Sequence, residues 1–307
     1  MPMTLEYIPC NLCGSTDSVV LYPSTLPENE SDHDVTRYNC TCPGYGQHYT
    51  IVRCRQCGLV YTNPRRKADD ILDDYEEVED PLYLEEREGR VLTFRRNLRP
   101  LEDLAPPASG TRLLDVGCHV GVFIEIARER GWDAWGVEPS RWAASQAQAR
   151  GLQVITGTLH QAAFPPASFD VVTMWDVIEH LADPREEVTE IYRILKPGGL
   201  LSVHTINIES PFARLMGHRW PWLMEMHLFY FSPRTLRQML EQVGFRVLRW
   251  TNQGRYLRLG YLISRLEAYT PVLSRSLNRA VHALGLQSLA VPVNFGDLFT
   301  MFARKPL

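Results

Sequence analysis

From Thr111 onward the chain alternates short apolar runs with amphipathic segments, and this pattern constrains the fold more than any other feature. RLLDVG is an apolar run ending in glycine, and VGVFIEIARERG follows with helical spacing. WDAWGVEP is strand-like, and SRWAASQAQARG opens with Ser140 where an N-cap belongs. LQVITG and FDVVTMWDV are two further strands. REEVTEIYRILKPGG reads as a helix that Pro-Gly-Gly stops, and LLSVHTIN as a strand. SPRTLRQMLEQVGF adds a helix with Ser232 as its cap and Pro233 at its first position, where no N–H is needed. FRVLRW and DLFTMFARK are late strands. Strands alternating with helices give an open α/β sheet, mainly parallel.

In such a sheet the ligand sits beyond the C-terminal ends of the strands, where the first strand turns into its helix. Here that turn is Asp115-Val116-Gly117-Cys118-His119-Val120-Gly121. Gly117 permits the tight turn, and Gly121 the close approach of helix and strand. Glu138 closes the next strand 23 residues after Asp115, suited to accept both hydroxyls of a ribose. A pyrophosphate turn needs G-x-G-x-x-G counted from Gly117, and His119 and Val122 stand at its second and third glycines. A dinucleotide is thereby excluded. The acid before the turn suits a ligand with an ammonium group, a sulfonium and no phosphate.

The stretch from Leu113 to Lys305 resembles the class I S-adenosylmethionine (SAM)-dependent methyltransferases. LLDVGCHVG, WGVEPS, SFDVVTMWDVIEHLADP, RILKPGGLLSVHT and GDLFTMFARK carry the resemblance, in the expected order. It implies a Rossmann-like sheet of seven strands, the last one antiparallel, with SAM as cofactor. It also implies that the turn, with Asp115, Gly117, Cys118, His119 and Gly121, wraps the methionine moiety. Glu138, followed by Pro139, would hold the ribose. Thr158 and Leu159 fall where the family often has an acid for the adenine amino group, so backbone and apolar contacts would serve instead. Trp175 and Asp176 close the fourth strand at the sulfonium end. His119 replaces a small glycine, and either stacks beside the cofactor or points outward.

Methyl transfer from a sulfonium is an in-line displacement, for which donor and acceptor must be aligned and, for a weakly acidic acceptor, a proton removed. Asp176, Glu179 and His180 form a D-x-x-E-H pattern similar to the E-x-x-E-H of ubiquinone-pathway O-methyltransferases, where those residues bind a divalent metal. A packed or helix-capping histidine is the plainer role. The aromatic segment from Arg219 to Phe231 lies where class I enzymes insert acceptor-binding loops, and its H-L-F-Y-F-S resembles zinc-binding sugar C-methyltransferases. That resemblance implies His227 as general base with Glu225, two positions before it, as its candidate carboxylate. His227, Glu225, His180 and Glu179 are thus the catalytic candidates.

Six of the seven cysteines fall within the first 57 residues. Cys10 and Cys13 form one C-x-x-C knuckle, and Cys54 and Cys57 another. Four thiolates make the tetrahedral set of a structural zinc with no open coordination position. CRQCGLVYTNP resembles the second knuckle of methyltransferases with an N-terminal zinc-binding domain. Cys40 and Cys42 read as non-ligands in the long insertion between knuckles, though one could substitute.

These features predict a zinc-ribbon-like domain over 1–64, an acidic helical linker of one or two amphipathic connecting helices over 65–105 and the methyltransferase domain over 106–307. Within the last lie a lid at 207–231 and a helical insertion at 251–293. The N-terminus has no basic, apolar leader and no apolar run reaches the roughly 20 residues of a membrane span, so the cytoplasm is the expected location. The net charge of −4 hides a balance of +9 from Ser210 onward and −13 before it. Either the two regions pair, or the basic third meets an anionic substrate or membrane surface. The expected acceptor is an anionic small molecule such as a nucleotide-linked or lipid-linked sugar. The insertion reads as a lid, a dimer surface or a membrane-skimming patch. A nucleic-acid substrate is disfavoured by the negative overall charge and the lack of an N-P-P-Y-type motif. A SAM- and zinc-binding protein without enzymatic activity is the other alternative.

Overall fold

The computed structural model describes residues 5–26, 35–42, 44–268 and 270–307. Residues 1–4, 27–34 and 43 of the expected N-terminal module lie outside that description, as does Tyr269 of the insertion. Seven strands form the main sheet: β1 (Arg112–Val116), β2 (Asp133–Glu138), β3 (Gln153–Thr156), β4 (Phe169–Trp175), β5 (Leu195–Ile206), β6 (Arg246–Asn252) and β7 (Leu298–Arg304). Their order is β3-β2-β1-β4-β5-β7-β6. The first five pair in parallel. The last strand, β7, runs antiparallel between β5 and β6, as the sequence implies.

Helices on both faces bury every residue of β4 and β7 except Asp170 and Arg304. The helix Pro184–Ile194 buries Val188, Ile191 and Ile194, and Pro233–Val243 buries Leu236, Met239 and Leu240. Those spacings of three and four put the apolar side chains on one stripe, each worth about 1.5–3 kcal/mol when fully covered.

Three local expectations are corrected. The helix before β5 stops at Ile194, ahead of Pro197-Gly198-Gly199, and those residues instead form an irregular stretch of β5. Pairing with β4 jumps there from Leu195↔Phe169 to Leu200↔Val171, and Gly198 takes up the bend with a φ of 78°. Residues 65–105 hold three helices, Ala68–Glu77, Pro81–Glu85 and Arg87–Glu102, rather than one or two. The insertion begins as strand, not helix: Arg255–Arg258 pairs antiparallel with Ala290–Val293. That ribbon carries the helices Leu259–Arg265 and Pro271–Ala283. Part of the charge asymmetry is paired, since Arg258 meets Glu86 at 2.6 Å. Among the described residues no helix is long and apolar enough to cross a membrane.

The N-terminal strands Ser18–Tyr22, Ile51–Cys54 and Val60–Thr62 form an antiparallel sheet whose fourth member is Phe229–Tyr230. That fourth strand comes from the expected lid. Tyr61 opposes Phe229, with both rings fully buried and 6.2 Å apart. The cysteine-rich module and the acceptor-side loop therefore share one sheet, a pairing across 168 residues that no local pattern announces.

Candidate active site

A cavity of about 900 Å³ opens over the C-terminal ends of β1, β2, β4 and β5, lined there by Val116, Glu138, Trp175 and Ile206. Its floor is the glycine turn. Gly117 has a φ of 68°, and a Cβ there would lie 2.6 Å from Val177, so the turn needs glycine for both its backbone and its space. Glu138 accepts the backbone N–H groups of His119 at 2.7 Å and of Ser140 at 2.9 Å, which fixes the turn against β2. Burial pushes the Glu138 carboxyl up to about 7. Asp115 accepts the Thr173 hydroxyl at 2.6 Å, and burial, reinforced by Glu138, pushes it up to about 8.

The expected cofactor residues divide into two groups. Gly117, His119, Glu138, Pro139, Thr158, Leu159, Trp175 and Asp176 line the cavity. Asp115, Cys118 and Gly121 do not: Asp115 faces Thr173, Cys118 is buried beneath β2 beside Gly136, and Gly121 starts the helix Val122–Glu129 against Leu152. Their contribution is to shape the turn. Thr158 is also engaged locally, since its hydroxyl caps the helix Leu159–Ala162 in a capping box with Gln161.

His119 points inward. Its ring stacks on Tyr83 with the centroids 3.7 Å apart, and the Arg90 guanidinium lies 3.4 Å over the same Tyr83 ring. Burial and then Arg90 bring His119 down to about 3, so the imidazole is neutral. Both His119 ring nitrogens, Arg90 Nε, Trp175 Nε1 and Glu179 Oε2 are buried without a hydrogen-bond partner among the described residues. All five atoms belong to cavity-lining residues. Buried polar atoms left unpaired cost about 1–3 kcal/mol each, so their convergence marks a place built for a polar ligand. Tyr83 and Arg90 were not legible as site residues, because they sit in the acidic helical segment ahead of the sheet.

The D-x-x-E-H residues do not gather around one point. Asp176 pairs with Arg255 of the insertion at 3.1 and 3.2 Å. Burial would raise Asp176, but Arg255 and then His204 override it and hold the carboxyl below its ordinary range. His227 takes its place, so that donor atoms of Glu179, His180 and His227 lie within 4.8 Å of one another. Glu225 is corrected as the partner of His227. It turns away to Arg37 at 3.2 Å, because residues two apart in an irregular loop need not face the same way.

The tautomers follow from the carbonyls. His227 Nδ1 lies 2.7 Å from the Trp222 carbonyl and must donate to it, leaving Nε2 with its lone pair. His180 Nδ1 likewise donates to the Met226 carbonyl at 3.0 Å, with the Tyr75 hydroxyl 2.9 Å away. Burial holds His180 down at about 4, while burial and then His180 hold His227 at about 3. Burial and the Asp176 charge push Glu179 up to about 8. The cluster is two neutral imidazoles offering lone pairs beside a carboxyl that readily carries a proton.

The four cysteines come together as their spacing implies. Cys10 Sγ lies 3.4 Å from Cys57 Sγ and Cys13 Sγ lies 3.5 Å from Cys54 Sγ, with all four within 4.8 Å. A tetrahedron of Zn–S bonds near 2.3 Å sets sulfurs about 3.8 Å apart, so the set fits zinc. Burial opposes the Cys54 thiolate, but the N–H groups of Cys57 and Gln56 bring it down to about 7. Cys40 and Cys42 stand apart and line the cavity instead.

A family model described as "Methyltransferase domain" matches residues 83–249. The ubiquinone biosynthesis O-methyltransferase of Paracidovorax citrulli is 32% identical over a 127-residue alignment that covers 36% of this chain and 53% of that protein. A probable S-adenosylmethionine-dependent methyltransferase of Mycolicibacterium smegmatis is 31% identical over 156 residues, 50% of this chain and 59% of that protein. The chain thus spans little more than half the length of these curated relatives. A SAM-dependent methyltransferase from Archaeoglobus fulgidus superposes with a TM-score of 0.50 at 21% identity, over 74% of this chain and 100% of that one, a likeness of fold alone. The family match extends over more than half of the sequence, and the chain belongs to the methyltransferase-domain family.

Proposed function

We propose that the protein transfers a methyl group from SAM to a small anionic acceptor, with His227 and His180 handling the acceptor's proton and Glu179 supporting them. The observation that carries this reading is the convergence of the unpaired atoms of His119, Arg90, Trp175 and Glu179 on one cavity. The residues fit SAM. Glu138 would accept the ribose hydroxyls, and the Arg90 guanidinium, stacked on Tyr83, would receive the methionine carboxylate. SAM supplies the methyl as a sulfonium when bound. The Nε2 lone pairs of His180 and His227 are open to a hydrogen bond from a hydroxyl or carbon acid, and the negative charge of an anionic acceptor beside them raises their basicity toward that of a general base. Arg255 and Arg265 on the cavity wall favour a phosphate- or carboxylate-bearing acceptor, and the loop's likeness to sugar C-methyltransferases favours a nucleotide-linked or lipid-linked sugar. The four-cysteine site would hold a structural zinc.

The test is SAM calorimetry followed by incubation with cell extract and mass spectrometry for a methyl gain. A chain that binds no SAM, or methylates no extract component, overturns the reading. Steep salt-dependent binding to RNA would instead favour a nucleic-acid substrate.

Two measurable consequences follow. Arg90→Gln is expected to weaken SAM binding about tenfold or more, since one charge-assisted hydrogen-bond pair is lost. SAM binding also has a defined pH dependence. Asp115 and Glu138 rest at about 8 and about 7 and are largely or partly protonated at neutral pH. A cationic ligand favours their ionised forms, so binding releases protons. Apparent affinity should therefore rise from pH 6 to pH 8, by at most about tenfold per pH unit for each coupled proton, and level off above. Calorimetry in buffers of different ionisation enthalpy measures the proton count, and proton uptake would contradict it.

A further inference from the structure

We propose that the four-cysteine module is a positioning device for the imidazoles His180 and His227, acting through Asn11 and Thr62. The inference rests on the proton-handling role assigned to those histidines above. Each knuckle is tied to one of the two segments that carry them.

The second knuckle leads directly to the His227 loop. Three residues after Cys57 the chain enters Val60–Thr62, which pairs with Phe229–Tyr230. At the end of that pairing the Thr62 N–H donates to the Leu228 carbonyl at 2.9 Å, and the Thr62 hydroxyl donates to the His227 carbonyl at 3.1 Å. Arg234 closes the other side by donating to the Cys57 carbonyl at 2.8 Å. The N–H groups of Leu228 and Phe229 in turn donate to the Glu179 carbonyl at 2.8 and 3.1 Å. A backbone hydrogen-bond path thus runs from the cysteine site through Thr62 to the His227 loop and on to Glu179.

The first knuckle holds the other segment. Asn11, between Cys10 and Cys13, donates from Nδ2 to Asp183 at 2.8 Å and accepts the Arg185 N–H at 3.1 Å. Asp183 lies three residues beyond His180 and caps the helix Pro184–Ile194 through the Glu186 N–H. Leu12 within the first knuckle and Leu59 just after the second are fully buried in the same core as Ile178 and Leu228. Displacing either knuckle must therefore move the backbone that aims one imidazole. A module serving only as a solubilising appendage would need none of these bonds.

The test uses the full zinc-loaded chain with 13C-labelled histidine, the ring signals of His180 and His227 being assigned with H180Q and H227Q. Thr62→Val is expected to move and broaden the His227 signal, while His204 on β5 stays in place. Thr62→Ser, which keeps the hydroxyl, should restore the wild-type spectrum. Asn11→Ala, at a half-exposed position that folding tolerates more readily, should move the His180 signal and leave zinc content and SAM affinity unchanged. Unmoved His180 and His227 signals in both Thr62→Val and Asn11→Ala would overturn the positioning role. Wild-type methyl transfer by H180Q and H227Q, on the acceptor returned by the extract screen, would instead overturn the proton-handling reading, so the two failures remain separate.

Discussion

His227→Gln is expected to lower methyl transfer by about two to four orders of magnitude while leaving SAM affinity unchanged. Glutamine still donates to the Trp222 carbonyl that His227 Nδ1 faces at 2.7 Å, so the loop keeps its anchor. It has no lone-pair nitrogen for a proton, and that is the property removed. The neighbouring substitutions should grade accordingly. Glu179→Gln, at the carboxyl within reach of both imidazoles, should also slow the reaction. Glu225→Gln should change the rate little, because Glu225 pairs with Arg37. Single-turnover transfer on the acceptor found by the extract screen measures all three. Near-normal transfer by His227→Gln would remove this residue from the chemistry.

Cys54→Ser is expected to have the largest effect on stability. Structural zinc sites bind with an apparent free energy of about 10–16 kcal/mol at neutral pH, and losing one thiolate forfeits much of it. The consequence reaches beyond the module, because the strand Val60–Thr62 that follows the second knuckle carries Phe229–Tyr230. Zinc content should fall well below one per chain, and limited proteolysis should cut both the module and the 220–230 loop. Zinc retention should also depend on pH. Burial raises Cys10, and burial likewise raises Cys57 to about 11, so metal uptake must displace protons. Retention against a chelator should therefore weaken as pH falls. Full zinc content and an unchanged melting curve for Cys54→Ser would contradict the assignment.

Much of this was legible in the chain. The succession of strands followed from apolar runs alternating with helical spacing, the turn at Gly117 from the end of the first of them, and the exclusion of a dinucleotide from the failed spacing at His119 and Val122. The C-x-x-C pairs carry their geometry in four residues each, so 40 intervening positions did not hide them. What stayed hidden was every contact set by docking rather than by spacing. Glu225 is nearer to His227 in sequence, but it is Glu179 that gathers with His227, because backbone bonds fold residues 228 and 229 onto the Glu179 carbonyl. Tyr83 and Arg90 come from a charged segment whose helical period announces an amphipathic connector and says nothing of a stack on His119. The Arg255–Asp176 pair joins residues 79 apart through an insertion read as wholly helical. Such pairings depend on how layers meet, which local periodicity does not encode.

The place of β7 has a consequence for synthesis. This strand, Leu298–Arg304, lies between β5 and β6 and supplies both of them with their hydrogen-bonded neighbour. Until a growing chain has passed residue 304, β5 has an open edge on that side and β6 has no partner in the sheet. Everything upstream, including both cysteine knuckles and the loop at 229–230, can emerge from the ribosome while the molecule is still unfinished. An exposed strand edge is a template for pairing with another chain. Nascent chains stalled before residue 298 should therefore recruit holdase chaperones far more than chains released past residue 304.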